Sequence, residues 1–310
     1  LLTKGSHSKL YPEDKIAVSF SVLILAIQLW YFLSGFLTDT SKFLFPAIAF
    51  ILLLLLIYFQ NKSGYEQVNP SLLQRSLKFT RSYYHVLYYA IIFNAFQTFV
   101  HELNPNDFDI YLLKYDILIL GVDPTVWFEK HSSGFLTELF AVSYASYYIL
   151  PSLTFIMIYT LKGADSFIKA RNYLLAYCIG LYAAFAFYAL LPAAGPDIAF
   201  PENYTIPLTG LTSFSTEFLK NLAQYLKDTE ARNTFPSMHF AVLLVINYFS
   251  FLYRRKYFWF CTLPLGILLA VATVYLRQHY FVDLIGSIPI AALSIYFALK
   301  INKKDKTKGA

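Results

Sequence analysis

The sequence predicts an all-α fold, a polytopic membrane helix bundle of about eight transmembrane helices. Three observations carry this. Of 310 residues, 57% are apolar and only 14% are charged, whereas a soluble domain carries about 25% charged residues. Apolar stretches long enough to cross roughly 30 Å of hydrocarbon recur along the whole chain. Lys and Arg gather in the segments on one side of those stretches. The net charge of +6 is dispersed in short clusters between the apolar stretches, which argues against a nucleic-acid partner. Cys178 and Cys261 lie inside apolar stretches, with no CxxC and no neighbouring His, and read as small buried residues rather than metal ligands or a disulfide.

In chain order the spans fall near 16–37, 43–59, 83–103, 136–161, 171–191, 237–253, 257–276 and 280–299. The second is the shortest. The third is the most polar, and its His85, Asn94, Gln97 and His101 read as partners in hydrogen bonds between helices. There is no internal repeat, low-complexity tract or long linker, so residues 1–310 form one membrane domain. The chain begins with Leu, so a few initial residues are expected to be missing or foreign.

Eight spans place Lys4, Lys9 and Lys15 on the N-terminal side, followed by Lys62, Arg75, Lys78 and Arg81. On the same side fall Lys162, Lys169 and Arg171, then Arg254, Arg255 and Lys256, and finally the tail from Lys300 to Lys308. The opposite side holds only scattered cations: Lys42, Lys114, Lys130, Lys220, Lys227, Arg232 and Arg277. The positive-inside rule then makes both termini cytoplasmic. The segments 192–235 and 277–283 face the extracytoplasmic side, and the Lys-rich tail also attracts anionic lipid.

Two outer segments are too patterned to be simple connections. Residues 104–135 carry an apolar run flanked by Tyr111, Tyr115 and Trp127, which suits a segment lying in the lipid interface. Its Asp116 and Asp123 could touch a polar headgroup, but read rather as solvated interfacial carboxylates. In the loop after the fifth span, Phe218, Leu219, Leu222, Tyr225 and Leu226 recur at helical spacing, an amphipathic helix with Thr216 as its cap. Such a helix either floats on the membrane or roofs a site beneath it. His7 and His131 lie in loops and invite no hypothesis.

The chemistry concentrates between Phe235 and Ser287. A loop ending Pro236-Ser237-Met238-His239 and another ending Arg277-Gln278-His279 each run into an apolar span. Asp283 follows His279 by four residues, which on a helix puts both on one face. A carboxylate on one imidazole nitrogen fixes the tautomer and makes the other nitrogen more basic, and His239 offers a second acid–base group. Helix starts also attract anions through free N–H groups, and Arg232 and Arg277 lie close by in sequence, so the pattern fits a phosphate site. The other reading of the same residues is interfacial histidines facing headgroups, with Asp283 as a carboxylate favoured by the helix dipole.

Pro236-Ser237-Met238-His239 resembles the Pro-Ser-x-His core of the type-2 phosphatidic acid phosphatase superfamily. His279 and Asp283 resemble the His and Asp of its third motif. Tyr115-Asp116, Gly121 and Pro124, with Leu191-Pro192-Ala193-Ala194-Gly195-Pro196, resemble the branch of the inositol phosphorylceramide synthases and their bacterial relatives. The likeness covers roughly 110–290. It implies a six-helix phosphatase-like core within 83–300, with 1–82 as accessory N-terminal spans. It also implies a two-step phosphoryl exchange that needs no metal and no cofactor. His279 attacks phosphorus, Asp283 orients it, and His239 protonates the leaving alkoxide. Ser237, Arg232 and Arg277 become the candidates for holding phosphate. Two departures stand out. Thr273 occupies the position of the superfamily's motif Arg, and its Lys and Arg-Pro pair has no counterpart before His239, where Gly195-Pro196 stands instead.

The resemblance leaves three outcomes. A phospholipid or lipid phosphate donor with a lipid alcohol acceptor, of ceramide or diacylglycerol type, makes a headgroup transferase. Water as acceptor makes a plain lipid or polyprenyl-diphosphate phosphatase. A transporter or lipid-binding protein would keep the fold without the chemistry, but transporters place carboxylates at mid-membrane, and the ionisable groups here sit at span ends.

Overall fold

The computed structural model describes residues 10–35, 41–62, 72–97, 99–163, 165–229 and 231–307. The described chain is helical throughout its ordered elements, with no strand among the described residues. Over its described residues each predicted span is mainly helical. By length and composition, five described helices can cross a membrane, or six when one bent pair counts as a single span. The chain divides into two compact units, Leu1–Thr98 and Phe99–Ala310.

The first unit holds α1 (Pro12–Leu33), α2 (Ser41–Lys62) and α3 (Leu72–Gln97). Pro12 opens α1, and Asp14 in its first turn accepts the Tyr11 amide at 2.7 Å. The helix is inside-out. Val22, Leu23, Trp30 and Leu33 are exposed, while Ala17, Ser21, Ile24 and Gln28 recur at 3.6-residue spacing on the buried stripe. Ser21 meets the Tyr88 hydroxyl at 2.8 Å, and Gln28 donates to the Ala95 carbonyl at 3.1 Å. This pattern suits lipid, where polar groups find partners only inside the bundle. Asp14 pairs with Arg81 and with His85 Nε2 at 2.9 Å, so its buried charge is compensated. His85 thus makes the interhelical bond expected of the third span. α3 is long enough to cross but more polar than the five counted spans. The side chain of His101, and His7, Lys4 and Lys9, lie outside the described residues, as do the side chains from Lys304 onward.

The second unit opens with a single helical turn, Val100–Leu103, and then α4 (Asp109–Leu120), closed by Gly121 in the left-handed region at φ 76°. Asp123 then caps α5 (Pro124–Lys130), accepting the Thr125 and Val126 amides. The two aspartates are therefore not solvated interfacial carboxylates: Asp116 is fully buried and Asp123 is committed to a helix start. α6 (Gly134–Ala145) and α7 (Leu150–Tyr159) meet at a 51° bend, so the span expected at 136–161 is broken. Pro151 at the break supplies no N–H to continue the ladder.

α8 (Ser166–Leu190) is the most enclosed span and packs against both α10 (Met238–Tyr253) and α12 (Phe281–Thr307), which also touch each other. Between them in sequence, α9 (Ser213–Asp228) lays Phe218, Leu219 and Leu222 against Phe140 and Tyr144 of α6 and Tyr275 of α11 (Leu263–Tyr275). The amphipathic helix is thus packed on the unit rather than detached from it. Its cap is Thr212, whose hydroxyl accepts the Ser215 amide, and not Thr216, which lies within the first helical turn and bonds back to the Thr212 carbonyl. Glu138 of α6 accepts the Leu211 and Thr212 amides and so fixes where that helix begins.

Candidate active site

Two chain reversals bring the sequence motifs together. Ser237 caps α10, its hydroxyl accepting the Phe240 amide at 3.4 Å, which places His239 in the first turn. The second reversal is the end of α11. The Arg277 amide bonds to the Val274 carbonyl and the Gln278 amide to the Thr273 carbonyl, each at 3.0 Å, with Arg277 left-handed at φ 61°. That is a Schellman turn, usually closed by Gly, and a side chain there costs roughly 1 kcal/mol. The His279 amide also bonds to Thr273, so the residue standing at the motif arginine position serves as the anchor of this turn.

His279 precedes α12 rather than lying on it, so the pairing with Asp283 is not that of two residues on one helical face. Asp283 sits at the third position of α12. Its Oδ2 accepts the Tyr280 amide at 2.9 Å, as N-terminal carboxylates do, and meets His279 Nδ1 at 3.2 Å. The same Nδ1 lies 3.1 Å from the Thr234 carbonyl. A carbonyl only accepts, so Nδ1 carries the proton and Nε2 of the neutral ring presents its lone pair. That Nε2 lies 3.0 Å from His239 Nδ1, which must then be the donor. His279 is 4% exposed, and burial pushes its pKa down to about 4 against the opposing pull of Thr234. At neutral pH the lone pair is therefore free of a proton.

Tyr144 and Tyr147 flank the His239 ring, with centroids at 4.7 and 4.3 Å. Ser287 donates toward the Ser237 and Asp283 carbonyls at 2.6 and 2.7 Å, tying the start of α10 to the first turn of α12. The Ser237 amide donates to the Asp283 carbonyl across the same seam. Gly195 packs against the turn that leads into His279. It stands at φ 91°, and a Cβ there would come within 2.7 Å of the Gln278 carbonyl oxygen, next to His279. Gly195→Ala is accordingly expected to displace that carbonyl and lower kcat about a hundredfold while the helices persist. Circular dichroism beside turnover separates the two effects.

The structure gathers His239, His279, Asp283 and Ser237, and treats the two arginines differently. Arg277 is buried among acceptors: it donates to the Ile206 carbonyl at 2.8 Å, lies 3.5 Å from Glu129 and 3.9 Å from Asp197, and stacks over Tyr204 at 4.1 Å. Burial raises the Glu129 pKa, but the Thr205 and Ile206 amides, the Thr205 hydroxyl and Arg277 outweigh it and hold the carboxyl below its usual range. Arg232 bonds Asp107 at 2.6 Å at the rim of a cavity of about 300 Å³, lined also by Asp109, Ile110, Ala194 and Phe200. Neither histidine lines that cavity. Among the described residues no group of His, Cys, Asp and Glu gathers in a way that would hold a metal ion. Sequence reasoning missed Glu129, Thr234, Tyr144 and Tyr147. Thr234 acts through its backbone, which carries no residue signature, and the others reach the site from distant helices.

Fold and site define a class: a helical membrane protein with two facing imidazoles at its helix ends, one of them held by a carboxylate. Residues 118–297, more than half of the chain, match the family model of the PAP2 superfamily, and the chain belongs to that superfamily. Members of that superfamily are generally phosphatases. The chain is also similar to a PA-phosphatase related-family protein of Dictyostelium discoideum, 25% identical over 134 residues. That match covers 42% of this chain and 23% of the relative, so the chain spans well under two thirds of the relative's length. No solved structure matches the chain.

Proposed function

We propose that the protein transfers a phosphoryl headgroup between lipids through a phosphohistidine at His279, in the manner of the inositol phosphorylceramide synthases and their bacterial relatives. The observation that carries this reading is the line Asp283 Oδ2, His279 Nδ1, His279 Nε2, His239 Nδ1, with gaps of 3.2 and 3.0 Å at its two hydrogen bonds. On this reading one imidazole is the nucleophile and the other its acid partner. The Nε2 lone pair attacks phosphorus, the bond from phosphorus to the leaving oxygen breaks, and the departing alkoxide takes a proton from His239. His239 takes up a proton as the anionic headgroup binds, enters this step as an imidazolium and leaves it neutral. In the second half it removes the proton from the incoming hydroxyl, which attacks the phosphohistidine and frees His279.

Transfer to a lipid alcohol is favoured over hydrolysis by what surrounds the ring. Tyr144 and Tyr147 cover His239, and Phe218 of α9 packs on Tyr144, so the covalent intermediate would form under an aromatic roof. An acceptor of ceramide or diacylglycerol type would reach it from the bilayer more readily than water. On this reading Arg277, and Arg232 at the neighbouring cavity, steady the phosphate, with Ser237 fixing the turn that presents His239. Residues 83–300 are the catalytic core, 1–82 the accessory spans, both termini cytoplasmic and the site extracytoplasmic.

The test is a single-turnover assay on purified protein, with labelled phospholipids offered with and without ceramide or diacylglycerol and EDTA throughout. Product that forms only with a lipid alcohol is the expected result. Phosphate or phosphoryl-headgroup released without any acceptor would make the protein a plain lipid phosphatase. No product and no acid-labile phosphoprotein would leave a non-catalytic lipid-binding role.

A further inference from the structure

Asp109 and Asp116 lie two helical turns apart on α4, so both carboxylates leave the helix on its buried face. The opposite face carries Tyr111, Tyr115 and Leu118, all exposed. Asp116 reaches the start of α12 from 165 residues away, Oδ2 accepting the Phe281 amide and Oδ1 the Val282 amide, each at 2.8 Å. These are N–H groups that a helix start leaves without internal partners. Asp109 accepts the Ala194 and Gly195 amides at 2.9 Å and the Tyr280 hydroxyl at 2.8 Å. Between them the two carboxylates hold residues 280, 281 and 282, the three that separate His279 from Asp283.

We propose that Asp116, supported by Asp109, is a positioning residue for phosphoryl transfer, fixing the first turn of α12 and thereby setting the contact between His279 and Asp283. This rests on the reading of His279 as nucleophile. The stem between His279 and Asp283 has no other side-chain tether to α4 than these carboxylates among the bonds seen in the described residues. A shift there by a fraction of an ångström changes where Nε2 points, and misplacement of a reacting group by about 1 Å can cost a hundredfold in rate.

The arrangement also makes catalysis sensitive to acid. Burial pushes the Asp116 pKa up to about 6, against the pull of the Phe281 and Val282 amides and with a further push from Asp123. The other titratable groups around it are Asp109 on its own helix and Tyr280 and Asp283 at the start of α12, while Lys114 lies over Tyr111 on the far face. Above about pH 6 both carboxylate oxygens accept. Below it one oxygen carries a proton and accepts poorly, so the first turn of α12 loosens and activity falls.

The experiment compares wild type, Asp116→Asn, Tyr280→Phe and His279→Ala as full chains in detergent micelles, with radiolabelled phosphatidic acid as the probe. It measures the single-turnover rate of histidine labelling between pH 4 and 9, and thermal unfolding beside it. The pH dependence of His279 modification by diethyl pyrocarbonate, read by mass spectrometry, gives the same comparison without any lipid substrate. Expected for Asp116→Asn is a rate about tenfold to a hundredfold lower, with half-saturation within about twofold. The acid limb near 6 is lost with it. Tyr280→Phe lowers the rate and keeps the limb. An unchanged rate and limb in Asp116→Asn, or a loss that disappears when rates are taken per folded molecule, overturns the proposal. Should Asp116→Asn fail to fold, a wild-type profile without a limb near 6, or full activity in Tyr280→Phe, overturns it equally. Undiminished labelling in His279→Ala sinks instead the nucleophile reading on which the proposal rests.

Discussion

His279→Ala is expected to abolish turnover, by at least about ten-thousandfold, because no other group can take its place. The His279 ring is fixed from behind, by the Thr234 carbonyl and Asp283 at 3.1 and 3.2 Å, and so presents its Nε2 lone pair toward His239. His239 cannot substitute, since its Nδ1 is the donor facing that lone pair. The loss should be chemical rather than structural. In the variant Asp283 keeps the Tyr280 amide, so the first turn of α12 retains its N-terminal acceptor and the unfolding temperature should change little. Acid-labile phosphoprotein should disappear with turnover. Wild-type activity in this variant would sink the mechanism. Asp283→Asn, which keeps the shape and loses the charge that steadies an imidazolium, should retain substrate binding and lower the rate by orders of magnitude.

His239→Ala has the second-largest expected effect, and its size depends on the leaving group. A general acid contributes about a hundredfold to ten-thousandfold when the departing oxygen is a strong base. With an alkyl ester of phosphate, such as phosphatidic acid, the variant should lose activity over that range. With p-nitrophenyl phosphate, whose phenolate leaves without a proton, it should lose much less. The ratio of kcat/KM for the two substrates in wild type and variant is the measurement. Equal losses on both would remove His239 from the role of acid and leave it as a partner that merely orients His279. The Tyr144 and Tyr147 rings pack on His239 itself, so the variant also opens a cavity beneath α9, and unfolding should be followed in parallel.

Much of this molecule was legible in the residue order. The apolar stretches announce themselves because lipid demands a continuous run, and over the described residues they are mainly helical, the one at 136–161 with a break. The residues that meet at the site, His239, His279, Asp283 and Ser237, were nameable from their motifs. Spacing misled at one point. The spacing of four from His279 to Asp283 predicts one helical face, yet the chain reverses at Arg277 and His279 meets Asp283 from outside the helix. It also misled for Thr216, where a good capping residue lies inside the helix because Thr212, held by Glu138, occupies the true start. Arg277 and Arg232 were visible as cations, but their partners Glu129, Asp197 and Asp107 were not.

The sequence by itself determined that the chain is a helical membrane protein with two histidines and an aspartate at the ends of its spans, because hydrophobic run length and short motifs are local properties. Only the tertiary structure decided that the Thr234 carbonyl fixes the His279 tautomer, that Arg277 takes a left-handed turn, and that Asp116 grips the start of α12. Each of these joins residues far apart in the chain or a backbone atom with no residue-type signature. Burial then removes water as an alternative partner for the amides, carbonyls and carboxylates involved, so their pairing is set by where the helices pack and by nothing that a stretch of sequence displays.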